Sequence, residues 1–431
     1  MRSMRILGAT LTALALTLGT GTASALTILD AGFGSPNGGA SPRSQAMGST
    51  GAALYQGSQG LFFNPATLMP ETQWGAVDFT LGVSQANEDR LVPLWDSFNS
   101  YVDDTIVASN RNRYGTLNGG AILRLPSTAM ALAVGVFDRY DFQYDYYEEF
   151  RNPSGTDPAA DRDRIIELRT IGQDGTLRSL SAGYSAELFG RMKLGLAAHR
   201  YTGEPSREVR QVNYQTSTTT VTRVEQELDG WGWSLGGWGQ PTERMDIGVS
   251  FEGAFSLDGS QSTLSSVTGS PDVTTAGNRS VDYPGTLRFG AAYHPRNRLR
   301  TTFVVEMERR FWESLDSPVT SVFGDTLQVQ DTWDLRVGLE HVFYTNLPVR
   351  FGFRYLQNYA DTESERAIYS AGVGYRAAGF AFDVTGLLHR QTSRQEFLFD
   401  PSYLSNYRAP GTTEKVEDTI VQLVVGVSRG F

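Results

Sequence analysis

Four histidines, two neighbouring glutamates and a spaced series of arginines are the residues of this 431-residue chain whose types could carry chemistry. The histidines, His199, His294, His341 and His389, stand far apart. No Ser/His/Asp arrangement can be assembled around them, and no carboxylate–histidine cluster has metal-ligand spacing. The chain has no cysteine, which excludes disulfides, thiolate catalysis and cysteine-ligated metal. Glu306 and Glu308 are two residues apart, so on a strand they share one face, as a general acid/base pair would. Inside a polar lumen such carboxylates pair with cations instead. The reading therefore assigns no catalytic residue, no metal and no cofactor, and the chain is not taken for an enzyme.

Arg288, Arg336, Arg350 and Arg354 fall at the polar positions of alternating segments, together with Glu306, Glu308, Asp334, Glu340 and Asp383. Such charges have two uses. One is a ladder of ion pairs that packs a polar interior. A hairpin turning at Thr345–Pro348 would bring Asp334 and Glu340 near Arg350 and Arg354. The other is a ligand site, where one or two of these arginines hold a carboxylate bidentately among apolar groups.

The elements that position them follow a period of two. In Leu287–Tyr293, Trp333–Glu340, Val349–Tyr355, Phe380–Thr385 and Val421–Ser428, apolar residues alternate with polar or small ones. Strict alternation of this length marks strands with one apolar face. Fourteen such segments are expected, from Trp74–Val83 and Tyr114–Arg124 to Phe380–His389 and Val416–Phe431. Tight joints (Leu125–Ala129, Phe189–Arg191, Gln240–Arg244, His294–Arg298, Thr345–Pro348, Ala378–Gly379) alternate with long polar ones. The long ones are Gln85–Arg113, Gln143–Arg178, Ser256–Asp282 and Glu313–Asp331. Short turns on one side and long loops on the other are the arrangement of a transmembrane antiparallel β-barrel, not of a soluble sandwich.

The ends of the chain agree with export to an outer membrane. Arg2 and Arg5 precede the apolar stretch Ile6–Leu18, and Ala23-Ser24-Ala25 offers a signal-peptidase site, so residues 1–25 read as a signal peptide. The apolar stretch is shorter than the roughly 18–20 residues a membrane helix needs. Without Arg2 and Arg5 the balance is 35 basic to 47 acidic residues, a net of −12, which argues against nucleic acid as a partner. Phe431 closes an alternating strand, as a signal to the barrel assembly machinery does. Arg429 stands where an apolar residue is commoner and is expected to snorkel to the interface. Trp231 and Trp233 have outward parity and read as part of an aromatic girdle.

Residues 26–73 do not alternate. They contain Ala46-Met47-Gly48, Gly51-Ala52-Ala53 and Phe63-Asn64-Pro65-Ala66-Thr67-Leu68 in that order. Asn64-Pro65 sets a rigid bend, since proline fixes φ and asparagine caps the turn before it. This order of motifs, with Tyr283–Tyr293, Trp333–His341 and Tyr369–Tyr375, resembles the FadL-type outer-membrane transporter superfamily. The resemblance implies a fourteen-stranded barrel over residues 74–431, closed by an N-terminal hatch that carries Asn64, Pro65 and Ala66. It also implies passage of hydrophobic small molecules such as long-chain fatty acids, with outer-membrane lipid as surroundings. Related shuttle barrels of type 9 secretion share the hatch, so a non-transporting scaffold with a secretion or envelope partner is the alternative. A general diffusion porin would have no reason for a hatch.

Overall fold

The computed structural model describes residues 27–28, 30–37, 39, 41–69, 73–125, 128–151, 164–296, 300–361, 364–400 and 413–431. The expected signal peptide, residues 1–25, lies outside the described residues. A strap at residues 30–37 contains the short strand β1 (Ser35–Pro36) and precedes the hatch, with helices α1 (Pro42–Ala46) and α2 (Gly60–Phe63). Strands then cross in antiparallel order: β2 (Gly75–Trp95), β3 (Tyr101–Arg124), and β4 (Met130–Asp141) continued by β5 (Tyr144–Arg151). β6 (Ile165–Asp174) runs back into β7 (Thr176–Leu188), and β8 (Met192–Gly203) extends into β9 (Ser206–Asn213). β10 (Thr218–Thr242) is followed by β11 (Met245–Glu252) with β12 (Phe255–Val267), then by β13 (Val273–Tyr283) with β14 (Thr286–Tyr293). The ring ends with β15 (Thr301–Arg310), β16 (Thr332–Val342), β17 (Pro348–Gln357), β18 (Glu365–Ala377), β19 (Phe380–Glu396) and β20 (Thr413–Gly430).

β20 pairs with β2 from Ala76↔Gly430 to Leu91↔Lys415, so the wall closes on itself as fourteen transmembrane staves. Closure leaves neither the first nor the last strand with a free edge in the hydrocarbon layer, where an unpaired backbone group costs several kcal/mol. Outward positions are apolar and exposed: Phe79, Val134, Leu196, Phe289, Val337, Phe351, Val373 and Leu423. Aromatic residues mark both rims, with Trp231, Trp233 and Trp333 at one and Trp74, Phe189, Tyr344, Tyr375 and Phe431 at the other. Ala378-Gly379, both at positive φ, is the two-residue turn of the last tight hairpin. The Arg429 guanidinium stacks on Phe380, 5.0 Å from its ring centre.

The expected long loops need correction. Much of Gln85–Arg113, Gln143–Arg178 and Ser256–Asp282 is strand: β2 and β3 pair as far as Trp95↔Tyr101, and β12 with β13 as far as Ser265↔Val273. β5, β6, β9, β10, β12 and β13 form a sheet that rises beyond the apolar belt. There the outer face meets water rather than lipid. It carries Ser, Thr, Gln and Glu, and the apolar period that identifies a stave disappears.

Candidate functional site

The barrel interior is layered along its axis, and the lowest layer is the hatch. Asn64 caps the turn at Pro65–Leu68: its Oδ1 accepts the Ala66 N–H at 3.0 Å, while its Nδ2 donates to Ala52 O (2.7 Å) and Gly237 O (3.1 Å). Wall side chains complete the seat. Ser185 Oγ donates to Ala66 O at 3.0 Å, Ser250 Oγ to Phe63 O at 2.6 Å, and Thr385 Oγ1 to Pro42 O at 2.7 Å. Glu306 Oε2 accepts both the Gly51 and Ala52 N–H groups at 2.8 Å. Asp78 accepts from Ser58 N and Oγ.

A ring of wall glycines lets the hatch backbone lie this close. A Cβ on Gly338, Gly352 or Gly372 would overlap the Ala46-Met47-Gly48 segment. One on Gly248 would overlap Ala52, and one on Gly195 or Gly236 would overlap Asn64-Pro65-Ala66. Each of the three hatch motifs thus lies on its own set of glycines from neighbouring strands. In the alternating segments Gly338 and Gly352 are only small residues on the polar face. Their function became visible when fourteen strands placed them at one height. On the far side of the hatch is an open vestibule of about 850 Å³, lined by Arg43, Trp238, His294 and Arg376 among others.

Above the hatch lies a buried charged layer. Arg288 pairs with Glu308 (2.6 Å) and Glu252 (3.6 Å). Arg336 pairs with Glu308 (2.7 Å), Glu306 (3.4 Å) and Asp334 (3.4 Å) and donates to Ser49 O. On the vestibule side of the hatch, Arg350 joins Glu340 (2.6 Å) to Asp383 (2.5 Å), and Arg43 of the hatch shares Glu340 at 2.8 Å. Arg354 donates to Ser49 Oγ at 3.2 Å. Three of the four arginines considered for a ligand carboxylate therefore already hold one from the wall, and all but Arg288 contact the hatch directly or share a carboxylate with it. Glu306 and Glu308 sit among these cations rather than facing open space. His199 is fully buried between Ser181 Oγ (2.8 Å) and Ser234 Oγ (3.0 Å).

Above the charges is an aromatic chamber that the sequence reading missed. Tyr201, Phe255 and Tyr283 stack in a column, with centroids 4.0 and 5.0 Å apart. Trp312 stacks on Tyr359 at 4.1 Å. Phe33 of the strap inserts between the two groups, 4.6 Å from Tyr283 and 4.9 Å from Trp312. Tyr140 and Phe142 complete the lining. By the alternation of β4 they should face lipid, as Val134 and Val136 do. A bulge at Arg139 shifts the β4–β7 register between Asp138↔Arg178 and Tyr140↔Leu177, turning both rings inward. A cavity of about 240 Å³ opens beside them, with Phe33, Phe142, Leu228, Tyr283 and Val319 in its lining.

The same bulge interrupts the wall. β3 and β4 pair only from Arg124↔Ala131 to Gly119↔Val136 among the described residues. Beyond that point side chains replace the ladder: Asp138 Oδ2 accepts the Leu117 N–H at 3.0 Å, and Asn118 Oδ1 accepts the Asp138 N–H at 2.8 Å. The freed edge of β4 is taken by the strap, with Ser35↔Asp141 and Pro36↔Tyr140 paired in β1.

No family model and no curated protein matches the sequence. Solved structures do. A FadL homologue of Pseudomonas aeruginosa superposes with a TM-score of 0.66 at 12% identity, covering 92% of this chain and 100% of that one. The monoaromatic hydrocarbon channel CymD gives 0.62 at 13% identity, covering 91% and 98%. The Pseudomonas putida toluene transporter TodX gives 0.61 at 14% identity, also covering 91% and 98%. The chain has the FadL-type fold, a hatch-bearing barrel of fourteen strands.

Proposed function

We propose that this FadL-type barrel resides in the bacterial outer membrane and passes small hydrophobic molecules across it, without catalysis or cofactor. The observation that carries the reading is the aromatic chamber inside a closed barrel. A water-filled pore has no use for a stacked column of Tyr201, Phe255 and Tyr283 backing its cavity, whereas an apolar ligand gains by leaving water for the Phe33, Phe142 and Tyr283 faces that line that cavity. The solved channels of this fold named for toluene and monoaromatic hydrocarbons support the same class of cargo.

The route is proposed from the layers. A hydrophobic molecule descending from the chamber meets paired charges and a hatch bonded to many strands. Crossing them requires breaking ion pairs that are already buried, which leaves uncompensated charges. The seam between β3 and β4 lies beside the chamber and is closed by side-chain hydrogen bonds and the short strap rather than by a continuous ladder, so it is the easier exit. Residues 26–73 are proposed to act as a fixed stopper and strap, and Phe431 as the address read during barrel assembly.

Uptake of labelled toluene or a labelled long-chain fatty acid into proteoliposomes containing the purified barrel tests this. Entry severalfold faster than into empty liposomes is expected, and Tyr283→Glu should abolish the gain. Equal uptake with and without the protein, in a barrel that still migrates as folded, rejects transport in favour of the scaffold reading.

A further inference from the structure

The cavity beside the chamber is not apolar throughout. Two arginines from separate strands of the rising sheet, Arg207 on β9 and Arg279 on β13, line it together with Phe142, Val281, Tyr283 and Val319. Arg207 donates Nη1 to Ser321 O at 3.2 Å. The Nε of Arg279 is buried with no hydrogen-bond partner. Among the described residues, no carboxylate lies within 4.0 Å of either guanidinium. That contrasts with Arg288 and Arg336 in the layer below and with Arg350 on the vestibule side of the hatch, each of which holds at least one. Burial and the charge of Arg279 hold the Arg207 guanidinium below the usual arginine range. Two like charges at one half-enclosed cavity repel, and neither is neutralised by the protein. A planar anion bridging them would relieve the repulsion and satisfy the orphaned Nε, since guanidinium donors match carboxylate oxygens pairwise.

We infer that this cavity is a recognition site for a small organic monocarboxylate, its carboxylate held by Arg207 and Arg279 and its body against Phe142, Tyr283 and Val319. The inference rests on the transport reading and narrows its cargo from hydrophobic molecules in general to compact amphiphilic acids. Size agrees. About 240 Å³ lies below the roughly 300–1,000 Å³ typical of drug-sized ligand pockets, so a single ring or a short chain fits. The Gln226–Gln261 hydrogen bond of 2.8 Å forms the polar side of the cavity.

Benzoate and benzyl alcohol share a ring and differ in charge, and both are soluble enough for calorimetry on the intact barrel in detergent. Benzoate should bind at least tenfold tighter than benzyl alcohol. Arg207→Gln and Arg279→Gln should each weaken benzoate three- to tenfold, and the double variant should erase the preference while leaving benzyl alcohol unchanged. Retention of the heat-dependent gel shift checks that the variants are folded. Three results overturn the inference: no preference in the wild type, a preference that survives the double variant, or displacement of benzoate by an equal concentration of inorganic phosphate. In each case toluene entry into proteoliposomes separates the two readings. If it persists, only the acid specificity is lost; if it is absent too, the transport reading fails with it.

Discussion

At the residue scale the hatch depends on atoms that are missing. Gly248, Gly338 and Gly352 leave room for a backbone, and adding a side chain there must displace Ala52, Met47 or Gly48. Gly338 and Ser370 face away from lipid, so a charge there costs less than at Val337 or Phe351, but bulk does not. The hatch seat is the reason, since Ser370 Oγ also donates to Ala46 O. Gly352→Val should unseat the hatch while leaving the barrel closed, and planar-bilayer recordings should show ion conductance severalfold above wild type. Unchanged conductance would remove the glycine ring from the account. Asn64→Ala leaves the Ala52 and Gly237 carbonyls without that donor. A lost cap costs about 0.5–2 kcal/mol, so hatch amides should exchange faster while strand amides do not. A titratable group also belongs at this scale. Glu148 on β5, above the belt, is pushed from 4.5 up to about 7 mainly by burial and then by Glu414. Its proton is held more tightly in the folded state, so its stabilising contribution is full below pH 4.5 and is lost as pH rises through about 7. Hydrogen exchange of β5 should accelerate across that window, and Glu148→Gln should flatten the response.

At the scale of elements, a single bulge does three things. It turns Tyr140 and Phe142 into the chamber, ends the β3–β4 ladder, and frees an edge for β1. Asp138 bridges the resulting seam to Leu117 N on β3 at 3.0 Å, and is held from the other side by the Arg178 guanidinium of β7 at 2.9 Å. If cargo leaves here, Asp138→Ala should loosen the seam and raise hydrophobic tracer uptake severalfold, without admitting ions. A rise in ion conductance instead would place the leak at the hatch. The lipid-facing side of the strands gives a separate test. Val337→Arg or Phe351→Arg buries a charge in hydrocarbon and should destabilise the barrel by about 2–4 kcal/mol at mid-membrane, read from urea unfolding in liposomes.

At the scale of the whole molecule, stability comes from closure. The β2–β20 pairing joins the two ends of the barrel, and Phe431 reinforces it: its N–H and C=O bond Gly75 and Trp74, and its ring packs edge-on against Trp74 at 4.5 Å. A closed ring of backbone hydrogen bonds opens only cooperatively, so the unheated protein should migrate differently from the boiled one in detergent gels. Recovery from cells as a soluble species would contradict the membrane barrel. Removing Phe431 should lower the amount inserted rather than the melting temperature of the molecules that do insert, because most of the seam remains.

What the sequence determined by itself was what local chemistry determines. Alternation identified the membrane-facing part of the strands, since lipid on one side and polar lumen on the other leave a period of two. Asn64-Pro65-Ala66 announced a bend that keeps its shape without a core. Of the pairs expected across the Thr345–Pro348 hairpin, Glu340 meets Arg350, whereas Asp334 turns to Arg336 on its own strand. The remainder depends on contacts between strands distant in the chain. A one-residue bulge reverses the facing of every residue beyond it and leaves no mark on composition. The strand extensions lost their period where both faces became polar. The glycine ring, the aromatic column and the Arg207–Arg279 pair are each assembled from strands far apart in sequence, and they meet only because the barrel closes.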